Sequence, residues 1–167
     1  MRFAVQIREL FQDDITRPIT QVIKVDDLDQ EEILQELREY VVTPQIEQEL
    51  LNFLEPFVAV RRGSQATSEQ IGVWIAGFFG SGKSHFAKML GYLLSNIKLP
   101  ADGQPVQAID LFLKRVEIAN SSRLLDVTGQ LTQLRNFFAV HPLMFQIKSH
   151  EDQLNKDKES ISVIMYR

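Results

Sequence analysis

The sequence predicts an α/β fold, a parallel sheet flanked by helices behind a mostly helical N-terminal segment. Three observations carry that expectation. Residues 77–84, Gly77-Phe78-Phe79-Gly80-Ser81-Gly82-Lys83-Ser84, match the phosphate-loop spacing G-x4-G-K-[ST] without a mismatch. Before them, Val73, Trp74, Ile75 and Ala76 form a short apolar run rich in β-formers, as a buried parallel strand requires. After them, Phe86, Met89, Leu90, Leu93 and Leu94 recur at helical spacing, with Lys88 and Tyr92 expected off that face. Strand, glycine-rich turn and helix in that order make up part of a P-loop nucleotide-binding fold.

The spacing has a chemical reason. A triphosphate crowds several negative charges into a small volume, and only donors that come very close can hold it. Glycines at 80 and 82 let the backbone turn sharply and aim its N–H groups inward without a Cβ clash. Ser81 adds a further amide to the ring. The unpaired N–H groups of the following helix, with the positive end of its dipole, complete the nest. Lys83 is expected to reach the β- and γ-phosphates of ATP, and the Ser84 hydroxyl to ligate Mg²⁺.

The chain has 167 residues, enough for one domain with a substantial core and too few for two large ones. A net charge of −4 gives no electrostatic footprint for non-specific binding to nucleic acid or to membranes. Whether a local patch contacts DNA directly is left open. Cysteine is absent, which rules out a disulfide framework and thiol chemistry. The opening MRFAVQIREL has no signal-peptide core, and no apolar run approaches a membrane span, so the cytoplasm is the expected compartment.

Three regions follow along the chain: 1–60, mostly helical; 61–70, an exposed connector; and 71–167, the nucleotide-binding region. Phe3–Phe11 allows a helical turn or two, and Ile19, Val22, Ile23 and Val25 suggest a brief strand. Asp29, with Glu32 three residues on, has the capping-box arrangement for a helix faced by Ile33, Leu37, Tyr40 and Val41. The acidic run Asp26–Glu39 reads as a solvated helix face. Thr43-Pro44 starts another helix, Thr as cap and Pro at the first helical position. Its apolar side is Ile46, Leu50, Phe53, Leu54 and Phe57, with Glu47, Glu49 and Asn52 outside. Arg61 and Arg62 read as loop charges.

Beyond the loop helix, Ser95–Gln104 reads as a turn region. Ile109, Phe112, Leu113 and Val116 give a further helix, supported by Asp110 and Lys114 at i,i+4. Ser121 or Ser122 is expected to cap the next, with the stripe Leu124, Val127, Leu131, Leu134 and Phe138. Leu143, Met144, Phe145 and Ile147 suggest a second sheet strand, and 149–159 a polar loop. Residues 160–167 fit helix or strand equally on periodicity. Arg115, Arg123 and Arg135 read as helix-surface residues; His85, directly after Ser84, reads as a helix-surface residue first and as lining the site second. A carboxylate to orient a hydrolytic water is missing from the second strand, where Gln146 and Lys148 stand; Glu151 and Asp152 follow it.

Taken together, ELFQDDITRPITQVIKVD, EYVVT, GVWIAGFFGSGKSHFAKMLGYLL, LMFQIKS and the closing IMYR resemble the start of the large P-loop proteins of bacterial BREX-type phage defence, the BrxC/PglY group. The resemblance spans nearly the whole chain, with 96–140 least distinctive. It implies an ATP-dependent part of an anti-phage system, acting with other defence proteins that include a DNA methyltransferase. Gly77, Gly80, Gly82, Lys83 and Ser84 carry over as nucleotide contacts. Members of that group are far longer, so the region 71–167 is expected to stop before the Walker B carboxylate, and the resemblance favours a helix at 160–167. Two other readings stand beside it: a non-catalytic fragment acting through protein association, and a small P-loop phosphotransferase.

Overall fold

A computed structural model describes residues 6–10, 16, 29–61, 73–101 and 103–144. The expected strand within 19–25, the start of the acidic run, Arg62 and the rest of the connector to residue 70, and everything from Phe145 onward lie outside those residues. A 3-10 turn at Ile7–Leu10 falls within the predicted helical turns.

The first two α-helices start by the local capping rules. Asp29 Oδ1 accepts from the amides of Glu31 (2.8 Å) and Glu32 (3.2 Å), and α1 runs Gln30–Glu39. Thr43 Oγ1 accepts from Ile46 N (3.3 Å), with Pro44 as the first residue of α2 (Pro44–Arg61). Between them the chain is extended, so its side chains alternate with period two: Tyr40 and Val42 are buried, while Val41, expected on the helix face, is exposed. The α2 stripe is Leu50, Leu51, Leu54 and Val58, and it includes Glu47, which was expected outside. Burial of that carboxylate is offset by Ser121, whose hydroxyl donates to Glu47 Oε2 at 2.6 Å.

The loop helix, α3 (Lys83–Ser95), is covered on nearly all sides from Lys88 to Leu93. Lys88 and Tyr92, expected off the apolar face, are inside. Lys88 Nζ is 2.8 Å from Glu36 Oε1, and the Tyr92 hydroxyl donates to Glu36 Oε2 at 3.0 Å. One carboxylate of α1 thus satisfies both polar groups, and that part of the acidic run is not a solvated face. Gly91 lets Met144 lie directly on the helix, where a Cβ would overlap the sulfur.

The stretch read as a turn is a hairpin, β1 (Lys98–Ala101) and β2 (Gln104–Gln107). It pairs antiparallel, Leu99 opposite Val106 and Pro100 opposite Pro105. With Ala101 and Gln104 flanking a two-residue connection, ladder alternation puts the two prolines at a non-hydrogen-bonded pair, where neither needs an N–H. Asn96, left-handed at φ +44, ends α3 and ties it onward: its Oδ1 accepts from Ile109 N (3.2 Å) and its amide donates to Gln107 Oε1 (3.0 Å).

Helices α4 (Ala108–Ile118) and α5 (Leu124–Phe137) bury Ile109, Phe112 and Val116, and Val127, Leu131 and Leu134, as their spacing predicts. Ser121 accepts from Arg123 N (2.9 Å) one turn ahead of α5, whose N-cap is Arg123 with no side-chain cap. Asp110 pairs across to Arg135 Nη1 on α5 (3.0 Å) rather than along its own helix to Lys114. In the core, α5 packs on α2, α4 on α1 and α3, and β1 under α1.

This is not the expected parallel sheet flanked by helices. Among the described residues the chain is mostly helical, with one two-stranded antiparallel sheet. Val73–Ala76 has no strand assignment, and Val73 and Trp74 are exposed. Apolar β-formers supply a willing strand, but a strand exists only where a neighbour accepts its N–H and C=O groups. The two described strands pair with each other, and Leu143–Met144 is not in a strand either.

Candidate phosphate-binding loop and groove

The loop owes its shape to its glycines. Gly80 (φ +77) and Gly82 (φ +82) are both left-handed, and a Cβ at either would meet nothing, so backbone angle and not crowding demands glycine there. At Gly77 the backbone makes no such demand, and a Cβ would meet Ser81 Oγ at 2.7 Å, a rotatable side-chain atom that can move aside. Ser81 N donates to Phe78 O (3.2 Å), closing the turn.

Gly82 is the N-cap of α3 and offers no side chain to cap it. The first intrahelical bond is Phe86 N to Gly82 O (2.8 Å). The amides of Lys83, Ser84 and His85 therefore have no acceptor within the helix, at the positive end of its dipole. Lys83 folds back over the loop, its Nζ donating to Phe78 O at 2.7 Å. A concave run of donors, an ammonium group and no carboxylate hydrogen-bonded within the loop is an arrangement that attracts an anion.

Beside the loop lies a groove of about 990 Å³. Gly77, Ser81, Gly82 and Lys83 line it; Gly80 and Ser84 of the predicted set do not, and the Ser84 side faces solvent. The opposite wall comes from the α1–α2 junction and the first turns of α2, including Tyr40, Ile46 and Phe53. That junction is held from behind. Arg115 Nε donates to Tyr40 O (2.9 Å), so Arg115 is not the plain surface residue expected, while Arg123 Nη1 reaches Pro44 O at 3.4 Å in an exposed contact.

His85, read as a surface residue, also lines the groove. Its ring meets Tyr40 edge-on at 4.8 Å, and its buried Nε2 has no hydrogen-bond partner. Burial lowers its pKa below the ordinary value of 6.5, opposed by nearby Glu36 and assisted by Lys88. The α2 wall was not legible as part of the site, because nothing in residues 40–53 carries a phosphate-binding pattern. Their signal is only aromatic and amide side chains at a helix start.

No group of three or more His, Asp or Glu side chains suited to a metal occurs among the described residues. No helix among them is long and apolar enough to cross a membrane. Compared with known proteins, the chain matches no protein-family model and no solved structure.

Proposed function

We propose that residues 77–84 bind the polyphosphate of a nucleotide, with ATP and Mg²⁺ as the ligand pair. The observation that carries this reading is the Lys83 ammonium turned back on Phe78 O at 2.7 Å, above uncapped amides at the start of α3. A phosphate oxygen is a stronger acceptor for that ammonium than a neutral carbonyl. The donor set fits the group: Gly82, Lys83, Ser84 and His85 amides and Lys83 Nζ would hold phosphate oxygens. Mg²⁺ is bound in such sites largely through the phosphates and water, so the ion would need from this chain only the Ser84 hydroxyl, which is exposed and stands outside the groove. When bound, the ion would neutralise phosphate charge. The reading is one of binding; hydrolysis is not part of it.

The likeness of the lead-in and of GFFGSGKSHF to BREX-type defence ATPases supports a role in such a system, in the cytoplasm and with other defence proteins as partners. The test is calorimetric titration of ATP·Mg²⁺ into the wild-type chain and Lys83→Ala. Loss of a charge-assisted contact lowers affinity by about tenfold or more, with the helical circular dichroism retained. Equal affinity in the two proteins would refute the reading.

A further inference from the structure

Phosphate alone does not account for the groove. Its volume of about 990 Å³ is at the top of the range of roughly 300–1,000 Å³ typical of small-molecule sites. Beyond the loop, much of its lining is apolar or aromatic: Ile46 and Phe53 from α2, Trp74 and Ile75 from the segment before the loop, and Phe86 from α3. A polyphosphate gains nothing by touching such side chains, since it loses hydration without acquiring donors. A flat heteroaromatic ring gains on both counts, burying apolar faces while its polar edge stays near the rim, where Gln45 and Glu49 stand.

We infer that this wall holds the base of the nucleotide, a purine stacked on Phe53 and Trp74, while the loop holds its phosphates. Phe53 is already half of an aromatic pair, stacked on Phe57 at 5.6 Å between centroids and 18° between planes. Phe53 also packs against the core, and the part of its ring that lines the groove is what a second aromatic group would meet. Trp74 lines the groove yet is 91% exposed, an unusual state for the largest apolar side chain in the chain and one that a stacked base relieves. The larger π-face of a purine favours it over a pyrimidine. The inference rests on the reading of 77–84 as the phosphate site, and its test separates the two.

ATP and inorganic tripolyphosphate carry the same phosphate chain, and only ATP has a base. Both are titrated by calorimetry, with Mg²⁺, into the wild-type chain, Phe53→Ala and Trp74→Ala. Trp74→Ala guards against misfolding, because so exposed a side chain contributes little to the fold. ATP is expected to bind at least about tenfold tighter than tripolyphosphate, and each variant to lose about tenfold for ATP and nothing for tripolyphosphate. Since Trp74 is the only tryptophan, its emission in the wild type should shift with ATP and stay put with tripolyphosphate. Equal affinity for the two ligands, or variants that leave ATP binding unchanged, would overturn the base site while leaving the phosphate loop standing. Binding of neither ligand would overturn both.

Discussion

Tyr40 sits where three parts of the molecule meet, and its chemistry can be read out alone. It is buried at the end of α1, edge-on to His85 of α3 and tilted against Phe112 of α4 at 6.0 Å between centroids. Burial disfavours the phenolate and pushes its pKa from 10.0 up to about 12. A raised folded-state value means that the folded chain holds a proton that the unfolded chain releases. This contribution is therefore whole below pH 10 and is lost as pH rises toward 12. Its size is on the order of 2 kcal/mol. Tyr40→Phe has no proton to lose, so urea unfolding of the two proteins across pH 9–12 should show the wild type weakening more steeply. Parallel curves would mean that the phenol is solvated in the native state.

At the scale of elements, what the sequence makes legible is what three or four neighbouring residues decide. Asp29 and Thr43-Pro44 announce α1 and α2 because a cap and its amides lie within one turn. The stripes of α4 and α5 are legible for the same reason: helical period alone selects Ile109, Phe112 and Val116. The hairpin at 98–107 is hidden by prolines that deny it until the register shows them facing each other. Most opaque is Lys88, a residue type that is almost never fully buried without a partner. Its partner, Glu36, is 52 residues away in sequence, and no local rule sees it. The sharp turn at Gly80 and Gly82 is legible from the glycine spacing alone; the facing wall, assembled from another helix pair, is not.

That distant pair makes α1 and α3 one unit, and it can be tested as such. Lys88 is 1% exposed and Glu36 13%, with Tyr92 as the second donor to the same carboxylate. Removing one member of a buried pair costs about 3–5 kcal/mol where the other is left with no partner, whereas replacing both by apolar side chains is often neutral. Without Lys88, Glu36 keeps only the Tyr92 hydroxyl, which puts the cost at the low end. Lys88→Met is therefore expected to lower unfolding stability by about 3 kcal/mol, and Lys88→Met with Glu36→Leu to recover part of it, since the buried Tyr92 hydroxyl then loses Glu36 as its acceptor. Urea midpoints at constant m-value give the comparison. A single variant as stable as the wild type would show that this pair does not tie the helices together.

For the whole molecule, the balance between helical core and loop segment is the point at which sequence and structure part. The described core runs through α1, α2, α3, α4 and α5 and needs nothing from residues 73–76 beyond partial cover by Ile75. Among the described residues the glycine-rich loop is thus anchored by its helix, whose middle is fully enclosed, and no strand leads into it. A helix alone can present the amide donors of its first turn, because those are a property of its own end. What it cannot do is fix the approach of the preceding segment, and Val73 and Trp74 are exposed accordingly. The only tryptophan reports on this directly. In the ligand-free chain its emission should be red-shifted and its quenching by acrylamide almost as efficient as in urea, as 91% exposure requires. A blue-shifted, poorly quenched Trp74 would instead mean that its backbone and ring are enclosed by further strands, and that the loop does not depend on its helix alone for anchorage.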